Sequence, residues 1–181
     1  MTKTLKQKLK DKRFRENEMK ILRLIFVYGD TITMERVAKL IGVERSTIYR
    51  HHKTLKELID YYTKKVVSEC GELCEENVKR FYTDLLIYII KNREVFLVFY
   101  KMRDSRAILK VLEMNENSLM EYAGYKRRVR KVFNIYKYEV MAVMNAWGEK
   151  GFSRDDFDVV LNDILFLTKN MKVRLGALEF N

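Results

Sequence analysis

"TMERVAKLIGVERSTIYRHH", residues 33–52, holds a short apolar-periodic run, a single glycine and then a run of hydrogen-bonding side chains. Met34, Val37, Ala38 and Ile41 recur at the spacing of one helical face. Thr33 precedes them, where its hydroxyl accepts from the open N–H groups of a first turn, and Glu35 adds a negative charge there. Gly42 falls where a helix ends in a left-handed residue that glycine adopts cheaply, Val43 returns to the core, and a third short helix over 44–51 buries Ile48. Two helices cross closely only if a small residue sits at the crossing, and Ala38 supplies it. The spacing therefore predicts a helix-turn-helix. On its second helix Arg45, Ser46, Thr47, Tyr49, Arg50 and His51 are left pointing outward, a set of donors suited to base edges and phosphates. The pattern also fits a helical hairpin in an ordinary bundle with a solvated outer face. Such a face mixes charges, whereas 45–56 holds Arg45, Arg50, Lys53 and Lys56 and no acidic residue, which favours a DNA major groove as the surface to be touched.

Working outward, the lysine-rich arm "MTKTLKQKLKDKRFR", 1–15, either extends the first helix or stays disordered. From about Glu16, the residues Met19, Ile21, Leu22, Leu24, Ile25, Phe26 and Tyr28 predict an apolar helical face that stops at Gly29-Asp30. Downstream, "TLKE" at 54–57 matches a capping box, Thr54 with Glu57, and opens a longer helix through Leu58, Ile59, Tyr62 and Val66, with a bend at Gly71. The rest reads as helices over 54–77, 79–91, 94–101, 105–126, 129–149 and 153–171, turning at Asn92, Asp104 and Gly151-Phe152-Ser153. Ser153 with Asp156 predicts a second capping box. With no proline and seven glycines to interrupt it, the chain is expected to be all-α, with about nine helices: a DNA-binding unit over 1–53 and a helical bundle over 54–181.

Composition narrows the function. A chain of 181 residues that is 48% hydrophobic buries a core without staples. The net charge of +11 calls for an anionic partner, and residues 1–60, with 15 Lys+Arg against 8 Asp+Glu, carry +7 of it. The anion is therefore expected at the N-terminal part. That clustering disfavours a basic amphipathic protein lying on a membrane, and the apolar runs "LLIYII" (85–90) and "VFLVFY" (95–100) are far short of the ~20 residues a span needs. Two cysteines, Cys70 and Cys74, are too few for a disulfide framework, and the charged start is unlike a signal peptide, so a cytoplasmic location is expected. Four residues apart, the cysteines share a helix face, but without a third ligand nearby they read as two small thiols rather than a metal site. His51 and His52, adjacent, lie on different faces. No phosphate loop, zinc spacing, nucleophile elbow or catalytic carboxylate pair is legible, so neither an enzyme nor a cofactor is expected.

"ITMERVAKLIGVERSTIYRHHKTLKEL", 32–58, resembles the DNA-binding domain of the tetracycline-repressor (TetR) family of bacterial transcriptional regulators without gaps, and Gly29 falls where that family's first helix ends. The resemblance is specific over about 45 residues and extends to the rest only by layout. It implies that Arg45 and Thr47, with Ser46 between them, read bases, that Tyr49, His51 and Lys53 hold the phosphate backbone, and that Thr33 caps a helix end facing a phosphate. Arg50 suits either task. His52 stands where the family has phenylalanine, Leu55 where it often has lysine, and Ser46 where it often has glycine.

The resemblance further implies a homodimer through the last two helices, 129–149 and 153–171, because "AWGEKGFSRDDF" is similar to the family's link between them. A two-fold dimer places two recognition helices in successive major grooves of double-stranded DNA and reads a palindromic operator. A small apolar or aromatic effector among the C-terminal helices would shift the fourth helix and release the DNA, making the protein a repressor of transcription. Tyr82, Phe99, Tyr100, Met120, Tyr122 and Trp147 are candidates to line its pocket, although aromatic and methionine residues at helical spacing equally make plain core. The alternative is a TetR-like protein-interaction or co-activator protein that reads no DNA. His52 and Leu55 fit that drift, while the basic arm, Tyr49 and Lys53 fit DNA.

Overall fold

The computed structural model describes residues 5–49, 52–71, 78–123 and 130–171. Within them every regular element is a helix and there is no strand. Helix α1 (Leu5–Tyr28) ends in a 3-10 turn, Gly29–Thr31, and leads to α2 (Met34–Ile41), α3 (Arg45–Tyr49) and α4 (Leu55–Gly71). There follow α5 (Val78–Lys91), α6 (Arg93–Lys101), α7 (Arg106–Met114), α8 (Glu116–Tyr122), α9 (Arg130–Glu149) and α10 (Phe157–Lys169).

The local signals around the quoted stretch act as their chemistry requires. Thr33 Oγ1 accepts from the Arg36 amide at 3.2 Å and so starts α2. Gly42 closes it at φ 71°, and the next amide, Val43, returns to the Ala38 carbonyl at 3.1 Å. Met34, Val37, Ala38 and Ile48 are buried, with Ile41 and Val43 half-buried behind them. At the head of α4, Glu57 N–H donates to Thr54 Oγ1 at 3.1 Å, while the Glu57 carboxylate accepts from the Lys53 amide at 2.7 Å rather than from that of Thr54. The box thus draws in Lys53, one residue earlier than the expected form.

Three expectations are corrected. The helix foreseen over 105–126 is two, α7 and α8, so there are ten α-helices among the described residues rather than about nine. Asn115 makes the break: its side-chain amide donates to the Val111 carbonyl at 2.7 Å, and its backbone N–H turns to Leu112 O at 3.1 Å, because a short polar side chain competes with the helical bond. Second, α10 begins at Phe157. Ser153 Oγ accepts from Asp155 N at 3.2 Å and the Asp156 carboxylate goes to Lys150 Nζ at 2.9 Å, so the expected box gives way to a 3-10 turn over Arg154–Asp156. Third, the apolar face of α1 divides: Ile21, Leu22 and Ile25 are buried, but Met19, Phe26 and Tyr28 are exposed, as is Val27.

One core runs through the chain. Trp147, Tyr82, Tyr136, Phe96 and Phe133 are its largest fully buried side chains. A hydroxyl chain crosses it from α5 to α10: Tyr82 Oη meets Tyr136 Oη, which lies 2.9 Å from Thr168 Oγ1, and Thr168 donates to Ile164 O at 2.8 Å. Burial pushes both phenols up, Tyr136 to about 12, so they remain neutral hydrogen-bonding links at ordinary pH. The N-terminal helices attach to the rest where α1 packs on α6 and α4 on α7. Each seam carries an ionic tie. Arg23 grips Glu94 with contacts of 2.8–3.1 Å, and Arg106 pairs with Asp60 of α4 at 2.7 Å and with Asp104 at 2.6 Å. No described helix is long and apolar enough to cross a membrane.

Candidate functional site

The Gly42 turn sets α3 across α2 with Ile48 inward, so the residues before Ile48 face out: Arg45, Ser46 and Thr47 are all exposed. Thr33 and Lys53, at the two ends of this region, are exposed as well. Tyr49 is half-buried against the core. Arg50 and His51 lie outside the described residues.

Arg45 is held ready rather than loose. Its guanidinium lies over the Tyr49 ring, 4.6 Å from the centroid, with Nη1 3.8 Å from Glu35 Oε2. Its side chain is still 60% exposed, so stacking orients a cation that water screens from Glu35. Ser46 Oγ donates to Glu44 Oε2 at 3.3 Å, a local bond that another acceptor could replace. Two neighbours were not singled out from sequence. Arg36 projects from α2 with its guanidinium 5.0 Å from the exposed Tyr28 ring, extending the cationic surface, and Glu44 supplies a second carboxylate, after Glu35, beside Arg45–Thr47. Arg36 occupies an outward position of α2, and helical spacing alone could have found it.

Behind this surface lies His52. The ring is buried, lies 5.3 Å from that of Tyr61, and brings Nε2 to 3.7 Å from Oε1 of Glu18, itself buried in α1. An imidazole thus packs against a carboxylate, joining α1 to the segment between α3 and α4. The predicted helical face left Glu18 out.

A second feature lies among the C-terminal helices. α6, α7 and α9 border a half-open cavity of about 740 Å³ walled by Phe96, Phe99, Tyr100, Tyr138 and Met141. Two of the six sequence candidates, Phe99 and Tyr100, line it. Tyr82, Met120 and Trp147 do not: Tyr82 is used in the hydroxyl chain, Met120 is buried in α8, and Trp147 donates through Nε1 to Ser153 O at 2.8 Å. They are core, as such residues at helical spacing often are. The side chain of Tyr122 lies outside the description. The cavity is less apolar than expected, since Lys101, Arg103, Asp104 and Glu149 also line it. Burial raises the Asp104 carboxyl, and hydrogen bonds from Arg106 outweigh that and hold it below its ordinary range. Asp104 therefore stays an anion, one residue from the left-handed Arg103 (φ 53°). In sequence it is only a turn marker.

Cys70 is buried and Cys74 lies outside the described residues; no cluster of three His, Cys, Asp or Glu among the described residues could hold a metal. No protein-family model matches the chain, and comparison with curated proteins and with solved structures likewise gives no match.

Proposed function

We propose that the protein is a dimeric, TetR-like transcriptional regulator whose α2–α3 pair is a helix-turn-helix, with α3 entering the major groove. The observation that carries the reading is the outer face of α3: Arg45, Ser46 and Thr47 exposed together on a five-residue helix anchored by Ile48 and the Gly42 turn. Arg45 is suited to guanine and Thr47 to either base edge or a thymine methyl, while Lys53 and the capped N-terminus at Thr33 suit phosphates. The net +7 of residues 1–60 supplies the long-range attraction.

Dimerisation gives such a short helix its specificity. On α9 and α10, Tyr138, Val159 and Phe166 are 70%, 60% and 65% exposed, a large apolar outlay for helices whose other faces form core. This exposed surface supports the homodimer reading, in which a second copy would cover it. Light scattering at micromolar concentration is expected to return about twice the 21.8 kDa chain mass; a single-chain mass would contradict it.

Repression released by a small aromatic effector is the most economical use of the cavity. Its wall residue Asp104 is gripped by Arg106, which also holds Asp60 on α4, and α4 starts just beyond Lys53. An occupant that moves Asp104 therefore pulls on the helix that sets the spacing of the two α3 copies. The phosphate role is tested through salt. Lys53→Ala is expected to weaken cognate and random duplex alike, and to flatten the slope of log K against log salt by roughly 0.9 per lost contact in each subunit. An unchanged slope would take Lys53 off the backbone.

A further inference from the structure

An apolar surface with a basic rim crosses the seam between α1 and the C-terminal helices. Met19, Phe26 and Val27 of α1 face Leu97 of α6 across a groove of about 580 Å³, edged by Arg23, Lys91 and Arg93. Lys91 also lines a second depression, of about 290 Å³, formed by Ile87, Ile90, Phe157 and Arg154. Lys91 thus joins two apolar strips bordered by four cations. The acid lining them is Glu94, already taken by the Arg23 fork. Asp155 and Asp158, close to Arg154 in sequence, line neither strip. Among the described residues Lys91 and Arg154 have no counter-ion, and Arg93 donates to a backbone carbonyl, Gly151 O.

We propose that this surface docks an acidic amphipathic helix of a partner protein. The exposed α1 residues fall one heptad apart, at 19 and 26–27, matching anchors at i and i+7 of a helix laid along the groove. Carboxylates flanking those anchors would meet Lys91, Arg93 and Arg154, giving orientation and a fast, salt-sensitive on-rate. Duplex DNA fits less well, because its phosphates have no use for an apolar floor. A second copy of this chain fits less well too, because the surface is basic on both edges and would repel itself. The site lies apart from the exposed face of α3, so it adds a protein contact to the proposed DNA contact rather than replacing it.

The test is selection against the full-length protein from a displayed library of sixteen-residue peptides of unbiased sequence. Recovered peptides are expected to carry Asp or Glu beside Leu, Phe or Met at helical spacing, and to lose at least about tenfold in affinity for each of Val27→Asp and Lys91→Glu. Both positions are exposed, so each variant is expected to keep its thermal midpoint. No recovered peptides, neutral or basic ones, or acidic ones that bind the variants equally well would overturn the proposal. So would a fall in the mass of the assembly by light scattering for Val27→Asp, which would assign the surface to self-association. Loss of duplex binding by Lys91→Glu would assign it to DNA. Because the selection uses no DNA, failure of the DNA-reading proposal leaves its outcome intact.

Discussion

Arg45→Ala is expected to cost about 1–3 kcal/mol at each half-site of a cognate duplex, which over two subunits compounds to a loss of at least roughly thirtyfold. The expectation rests on how the side chain is held. Tyr49, itself fixed by half-burial, stacks under the guanidinium and limits its rotamers, so little ordering entropy remains to be lost on binding. Glu35 does not compete, being 3.8 Å away at a water-exposed site, where such pairs contribute about 0–1 kcal/mol. Random duplex offers Arg45 only phosphate, so its affinity falls far less. Thermal stability stays within about 0.5 kcal/mol, since the residue is exposed and supports no packing. Competition titrations of the variant against cognate and scrambled duplexes check this, and equal losses on both would remove Arg45 from base reading.

The second large effect is on stability. Trp147→Ala is expected to cost about 3–5 kcal/mol, lowering the thermal midpoint by roughly 10 °C. Trp147 is the chain's one tryptophan and is fully buried. Its ring meets Phe152 edge-on at 5.2 Å, and its indole N–H satisfies Ser153 O at 2.8 Å in the turn that reverses the chain from α9 to α10. Phe152 sits at φ 53°, an uncommon left-handed conformation for an aromatic residue, so the turn depends on this packing to hold it. The variant therefore loses a ring, a hydrogen bond and the brace on a strained residue together. Calorimetry reads the change, and a loss under about 1 kcal/mol would mean that the turn is held by other contacts.

These two sites differ in how far the sequence reveals them. The α2–α3 pair is legible because each constraint is local: a cap three residues from its amide, a glycine at the only left-handed position of the turn, and apolar residues at fixed spacing. Trp147 can be read as buried, but not as the brace of a turn, because that depends on Phe152 folding back. Elsewhere local rules lost to competition. Asn115 divides a predicted helix with its own side chain, and Asp156, spent on Lys150, leaves the predicted capping box with Ser153 unformed, although Ser153 still caps a 3-10 turn. The cavity is the least legible feature. Its wall joins the consecutive helices α6 and α7 to α9, further along the chain, so periodicity found Phe99 and Tyr100 but offered Tyr82 and Trp147 equally, and gave no sign of Asp104. The pairing of His52 with Glu18 joins residues 34 apart in sequence, which no local pattern connects.

In the proposed dimer, two copies of α3 read DNA sequence. Selection of bound sequences from a random duplex pool by the purified protein, at near-physiological salt, tests it most directly. The expected result is a palindromic consensus with half-site centres about one helical turn, ~34–36 Å, apart. Recovery of no consensus, with binding that depends on salt alone, would contradict it and leave the N-terminal helices as a basic surface for a protein partner.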